Sequence, residues 1–131
     1  MEYKIGLIQD SPMKFEDLGM YHKFIVAKEA EGLVFHSARA FGDKPFHNKI
    51  AEKYNVSQVM GGGAVKTYWS DESRLFLMGG STKYGAVPPQ ILQRFPLDEL
   101  LEIYKKIDPR LKSIEVSISR EEYFSESWND F

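Results

Sequence analysis

The stretch QVMGGGAVKTYWSDESRLFLM, residues 58–78, decides the fold. It holds two runs rich in β-branched and aromatic residues, Gln58–Trp69 and Arg74–Met78. Asp71-Glu72-Ser73 lies between them and has the chemistry of a hairpin turn. The spacing predicts two neighbouring antiparallel strands. Gly61-Gly62-Gly63 interrupts the first run. Glycine inside a strand costs backbone entropy, so it marks a bulge, a tight bend or a close approach by another group.

Working outward, Tyr3–Gln9 reads as a short strand ended by the breaker Asp10-Ser11-Pro12. Between Gly19 and Lys28 the run Met-Tyr-His-Lys-Phe-Ile-Val-Ala reads as a second strand. Its period of two sets Tyr21, Lys23 and Ile25 against His22, Phe24 and Val26. Leu33–Arg39 is the next strand. Asp43-Lys44-Pro45 looks like a helix start, with Asp43 as N-cap and Phe46, Ile50 and Tyr54 as the core-facing stripe. After Pro88-Pro89, Leu97, Leu100, Leu101, Tyr104 and Ile107 repeat with helical spacing. Asp98 and Glu99 open that helix and Lys105-Lys106 close it, the arrangement its dipole favours. Ser113–Ser119 alternates Ile114, Val116 and Ile118 with polar residues, as a half-buried strand does. Residues 120–131 form an acidic, aromatic tail with no clear period.

The order is strand, strand, strand, helix, strand, strand, helix, strand. It predicts one α+β domain over residues 1–131, a mixed and largely antiparallel sheet of about six strands flanked by two helices. Composition agrees. The chain has 131 residues, 43% hydrophobic and 14% aromatic, enough for one core without staples. A net charge of -2 and the lack of a basic stripe argue against a nucleic-acid partner. There is no Cys, so disulfides, thiolate metal sites and cysteine nucleophiles are excluded. No apolar run approaches the roughly 20 residues a membrane helix needs, and no signal peptide is evident, so a soluble cytoplasmic protein is expected.

Chemistry concentrates in two places. Gly79-Gly80-Ser81-Thr82-Lys83-Tyr84-Gly85 follows a strand and offers successive N–H groups, two hydroxyls and a Lys. Such a loop is either a simple turn or an anion-binding nest. It lacks Walker A spacing. His47 sits in the first helical turn after Pro45, where the helix terminus disfavours imidazolium. It is either a neutral base or nucleophile or a residue that merely flanks the Phe46 stripe. His22 and His36 fall in strands and read as packing residues. The three histidines lack metal-ligand spacing, so neither metal nor cofactor is expected.

Taken in order, these residues resemble the janus/ocnus family, whose enzyme members are the protein phosphohistidine phosphatases. Lys23 opens an apolar strand, and Arg39 precedes His47 by eight residues with an aromatic, Phe46, directly before the histidine. His47-Asn48-Lys49-Ile50 runs into a helix. Gly61-Gly62-Gly63 and Gly80-Ser81-Thr82-Lys83-Tyr84-Gly85 resemble the family's Gly-Gly-Gly and Ser-x-x-Tyr-Gly segments. The resemblance runs from about Met20 to Val87. It implies a mixed sheet flanked by two helices and a metal-independent phosphohydrolase acting on phosphohistidine or phospholysine. His47 would be base or phosphoryl acceptor, and Lys23 and Arg39 would hold the phosphoryl group. Ser81, Thr82, Lys83 and Tyr84 would bind its oxygens.

The chain also departs from the family. Ala64 follows the triple glycine where family enzymes often carry Arg, and Phe46 replaces an aromatic hydroxyl. Pro45 and Pro88-Pro89 are further differences. Lys83 and Lys66 are the candidates to supply the missing charge. The expected partner is a phosphorylated protein or a small phosphoramidate. The alternative is a non-catalytic module on the same fold that binds a phospho-ligand or a protein.

Overall fold

The computed structural model describes residues 2–9, 21–30, 32–38, 50–52, 56, 58–68, 70–71, 73–80 and 84–117. Its strands are β1 (Glu2–Gln9), β2 (Tyr21–Glu29), β3 (Gly32–Ala38), β4 (Val59–Thr67), β5 (Arg74–Gly79) and β6 (Ser113–Val116). They form a six-stranded sheet in the order β1-β3-β2-β4-β5-β6. The central pairings β3–β2, β2–β4 and β4–β5 are antiparallel, while both outer pairings, β1–β3 and β5–β6, are parallel. The expected α+β fold with a mixed sheet is therefore the fold observed.

Between β5 and β6 the chain forms α1 (Pro89–Leu92) and α2 (Leu97–Ile107). Pro89 starts α1, where its missing N–H costs no helical hydrogen bond. Asp98 and Glu99 in the first turn of α2 and Lys105 and Lys106 in the last match the helix dipole. Residues 50–52 are also helical, inside the stretch read as a helix from Asp43. Asp43, Pro45, Phe46 and Tyr54 lie outside the described residues, as do Asp10-Ser11-Pro12 and the tail. None of the described helices is long and apolar enough to cross a membrane.

Both faces of β2 are buried over its apolar centre, Phe24 to Ala27. Phe24 and Val26 enter the main core with Phe35, Leu75, Leu77 and Val87, beneath α1 and α2. Ile25 joins a second, smaller cluster with Ile50 and Ala51 on the opposite face. Phe24 and Phe35 stack at 4.6 Å, and Phe95 meets Phe35 edge-on at 6.0 Å. Burying one such phenyl group contributes about 1.5–3 kcal/mol.

The triple glycine does not interrupt the strand as the sequence suggests. β4 runs straight through it. The register against β2 slips between Val26 and Ala27, so the irregularity lies beside the glycines, opposite Met60. Gly63 answers a close approach: a Cβ there would stand 2.4 Å from Phe24 Cζ and 2.2 Å from the Met78 carbonyl oxygen. The expected hairpin turn is present. Asp71 Oδ1 accepts from Ser73 N at 3.0 Å and Ser73 Oγ at 2.6 Å, and Arg74 N donates to the Asp71 carbonyl at 3.2 Å.

Candidate functional site

Register sets the site. Lys23 pairs with Ala38 of β3 and with Ala64 of β4, and Ala64 pairs with Met78 of β5. Paired residues project to the same face, so these four positions form one row across the sheet. Lys23 is half-buried, and its carbonyl accepts a hydrogen bond from the fully buried Ser37 Oγ at 2.8 Å. Ile25 lies two residues along on the same face and packs in one cluster with Ile50. Arg39 follows Ala38 directly in the chain, and His47 lies three residues before Ile50. Arg39 and His47 themselves lie outside the described residues.

The glycine loop after β5 is anchored by one residue of the triple glycine. Gly62 accepts a hydrogen bond from Gly80 N at 2.7 Å and donates its own N–H to the Gly85 carbonyl at 3.1 Å. In a regular antiparallel ladder both bonds would go to one partner residue. Here they are split between the two ends of the loop, and Gly62 forms a parallel bridge with Ala86. The conformations suit this exit and return: Gly80 has φ +151° and Gly85 has φ +81°, and a Cβ at either would meet nothing within 4 Å. Val87 then passes over Gly79, whose Cβ would stand 2.4 Å from the Val87 carbonyl oxygen. Tyr84 is half-buried within the loop. Ser81, Thr82 and Lys83 lie outside the described residues.

Ala64 and Gly62 share the face and strand of this row, about 7 Å apart by ordinary strand geometry. The position where the resembled family often carries an Arg thus holds a methyl group beside Lys23. Lys66 is two residues further along the same face and half-buried.

Shifted ionisation occurs around the β4–β5 turn, at the end of α2 and in β6. Burial raises the Tyr68 hydroxyl, with a hydrogen bond to Glu115 adding to it. Hydrogen bonds from Tyr68 and Arg74 hold Glu115 below its usual range. Hydrogen bonds from Ser73 lower Asp71, and those from Arg110 lower Asp108. Among the described residues no group of three or more His, Asp or Glu side chains stands close enough to hold a metal. His36 is buried, with Nε2 3.7 Å from Glu29 Oε1. Gly6 makes room for it: a Cβ there would come within 2.5 Å of His36 Cε1. A cleft of about 150 Å³ lined by Glu2, Lys4, Glu29 and Gly32 sits at the opposite end of the sheet from Lys23.

The role of Gly62 was not legible in the sequence. Three adjacent glycines signal a special backbone, but not which one anchors a segment more than fifteen residues away. No protein-family model and no curated protein matches the chain.

Proposed function

We propose that the chain is a metal-independent phosphohydrolase that removes phosphoryl groups from N–P bonds, as in phosphohistidine or phospholysine. The observation that carries this reading is the register of Lys23 beside Ala64, with Gly62, the anchor of the glycine loop, two residues along β4. Ile50, three residues after His47 in the sequence, is buried in one cluster with Ile25, which shares its face with Lys23. That packing supports a role for His47 at the same site.

Phosphoryl transfer needs positioning and charge stabilisation more than covalent machinery. Lys23 and Arg39 hold the phosphoryl oxygens, together with Ser81, Thr82, Lys83 and the N–H groups up to Tyr84. His47 either takes a proton from the attacking water or accepts the phosphoryl group itself. In the first route a P–O bond forms as the P–N bond breaks, and the departing nitrogen takes up a proton. In the second, an imidazole N–P bond forms as the substrate's P–N bond breaks and the departing nitrogen takes up a proton. Water then forms a P–O bond as the imidazole N–P bond breaks, releasing phosphate and free His47. The reading places the protein in the cytoplasm with a phosphorylated protein or small phosphoramidate as substrate.

Phosphorus NMR of a phosphoramidate incubated with the protein tests it. Hydrolysis is expected with the wild type and a loss of about 10²-fold or more with His47→Ala. Wild-type rates in His47→Ala end the assignment. Ala64, neutral where a phosphate cation is expected, favours a second reading, a module that binds a phospho-ligand without turning it over. Phosphate binding with no hydrolysis of any phosphoramidate selects that reading.

A further inference from the structure

The core-facing side of β3 runs Leu33, Phe35, Ser37, so a hydroxyl stands where the pattern calls for a third apolar side chain. Ser37 is fully buried and pairs with Phe24, whose ring stacks on Phe35 and fills the notch at Gly63. A hydroxyl buried among such neighbours is costly unless it is hydrogen-bonded. Its Oγ donates to the Lys23 carbonyl at 2.8 Å, a bond between residues 14 apart in sequence. The location of that bond carries the argument. Lys23–Ala38 is the last pair of the β2–β3 ladder among the described residues. Ala38 ends β3, and Arg39 follows it directly in the chain. End pairs of a ladder open more readily than central ones, and the Ser37 hydroxyl clips this one from the core side.

We propose that Ser37 is a positioning residue for the phosphate site: by holding the Lys23 carbonyl, it fixes the backbone from which Lys23 reaches the phosphoryl oxygens. This role rests on the phosphohydrolase reading, in which Lys23 binds those oxygens, and adds to it a residue that does not meet the substrate. Ser37 shares its face with Phe24, and Lys23 projects to the other. The hydroxyl therefore acts on Lys23 through the β2 backbone and not by contact with its ammonium. Lysine is a long lever, so a small shift at its Cα becomes a larger one at Nζ. Misplacing a reacting or charge-stabilising group by about 1 Å costs up to about 10²-fold in rate. On its other side Lys23 pairs with Ala64, and Phe24, the next residue, is seated against Gly63. The Ser37 bond completes this hold from the β3 side. It also fixes the pair from which the chain departs towards Arg39, the second cation of the reading.

A double-mutant cycle on inorganic phosphate binding, followed by calorimetry, tests it. Ser37→Ala should weaken phosphate about tenfold in the wild-type chain and less than about twofold in Lys23→Ala. Its shift of the urea midpoint should be the same in both backgrounds, which separates positioning from stability. Ser37→Thr and Ser37→Val match in size and differ in the hydroxyl, so the packing cost of the added carbon cancels between them. Phosphate should bind the threonine variant about fivefold more tightly than the valine one, the scale of one hydrogen bond. An equal loss from Ser37→Ala in both backgrounds overturns the proposal, because the hydroxyl then acts on the fold at large. Equal affinity in the threonine and valine variants overturns it too. Phosphate affinity indifferent to Lys23→Ala ends the phosphohydrolase site itself and this role with it. That outcome is read from Lys23→Ala alone, before any change at Ser37.

Discussion

The Phe24 ring fills the space that a side chain at position 63 would occupy, with Cζ 2.4 Å from the Cβ position of Gly63. The same methyl group would meet the Met78 carbonyl at 2.2 Å, and that backbone is fixed in the β4–β5 ladder. Overpacking of this kind costs about 1–3 kcal/mol, and an immovable backbone atom puts Gly63→Ala at the upper end or beyond. Urea unfolding should show the midpoint fall accordingly. Phe24→Leu in the same chain should recover only part of it, since it relieves the ring contact and not the carbonyl contact.

Gly85 offers the opposite case. Its φ of +81° is strained for any residue with a Cβ, yet open space surrounds that Cβ position. Gly85→Ala should therefore lose about 1–2 kcal/mol through backbone strain alone. Gly85→Asn should lose less, because Asn tolerates this region. Thermal unfolding of the two variants checks the order. If the glycine loop binds phosphate, both should also weaken phosphate binding by more than they shift stability.

The row Lys23–Ala64 makes a prediction in both directions. Lys23→Ala should lower kcat/KM on a phosphoramidate by about 10²-fold, the usual scale for losing one preorganised charge-stabilising group. Ala64→Arg places a guanidinium on the same face beside Lys23 and should tighten inorganic phosphate binding. Unchanged phosphate affinity in Ala64→Arg would count against a phosphate at this row.

Acid stability should depend on Asp108. Arg110 donates to its carboxylate from Nε at 3.0 Å and from a terminal guanidinium nitrogen at 2.9 Å, which lowers its pKa in the folded chain. A carboxyl with a lowered folded pKa contributes stability above its unfolded pKa and loses it as pH falls through the folded value. The contribution should thus be complete above the ordinary aspartate value of 3.8 and be lost progressively as pH falls from there through the lower folded value. Asp108→Asn should flatten the acid limb of the stability profile while leaving its shape at higher pH unchanged.

Patterns that a single element can satisfy were readable from the sequence. The helical spacing of Leu97, Leu100, Leu101 and Tyr104 gives α2, and the alternation of Ile114 and Val116 about Glu115 gives β6. The Asp71 turn fixes β4 against β5. What escaped the sequence depends on distant partners. Nothing in Tyr3–Gln9 says that it pairs with β3 rather than β2, or in parallel. The short α1 was hidden because its single turn, Pro89–Leu92, is too brief for a period. At the candidate site, Lys23 is an ordinary strand lysine until register sets it beside Ala64. Gly62 is one of three glycines until its two hydrogen bonds are seen to part.

The placement of the parallel pairs has a consequence for synthesis. Among the described strands β1 is made first, and its partner β3 is complete at Ala38. β6 comes last and reaches β5 only after both helices have been made. Within the antiparallel run the β2–β4 closure is the long one, with Tyr21 pairing Lys66, whereas β1 reaches β3 over the shorter span from Glu2 to Gly32. The half-sheet β1-β3-β2 is thus complete in sequence at Ala38 and can pair before β4 is made, while β6 is the last strand available to join.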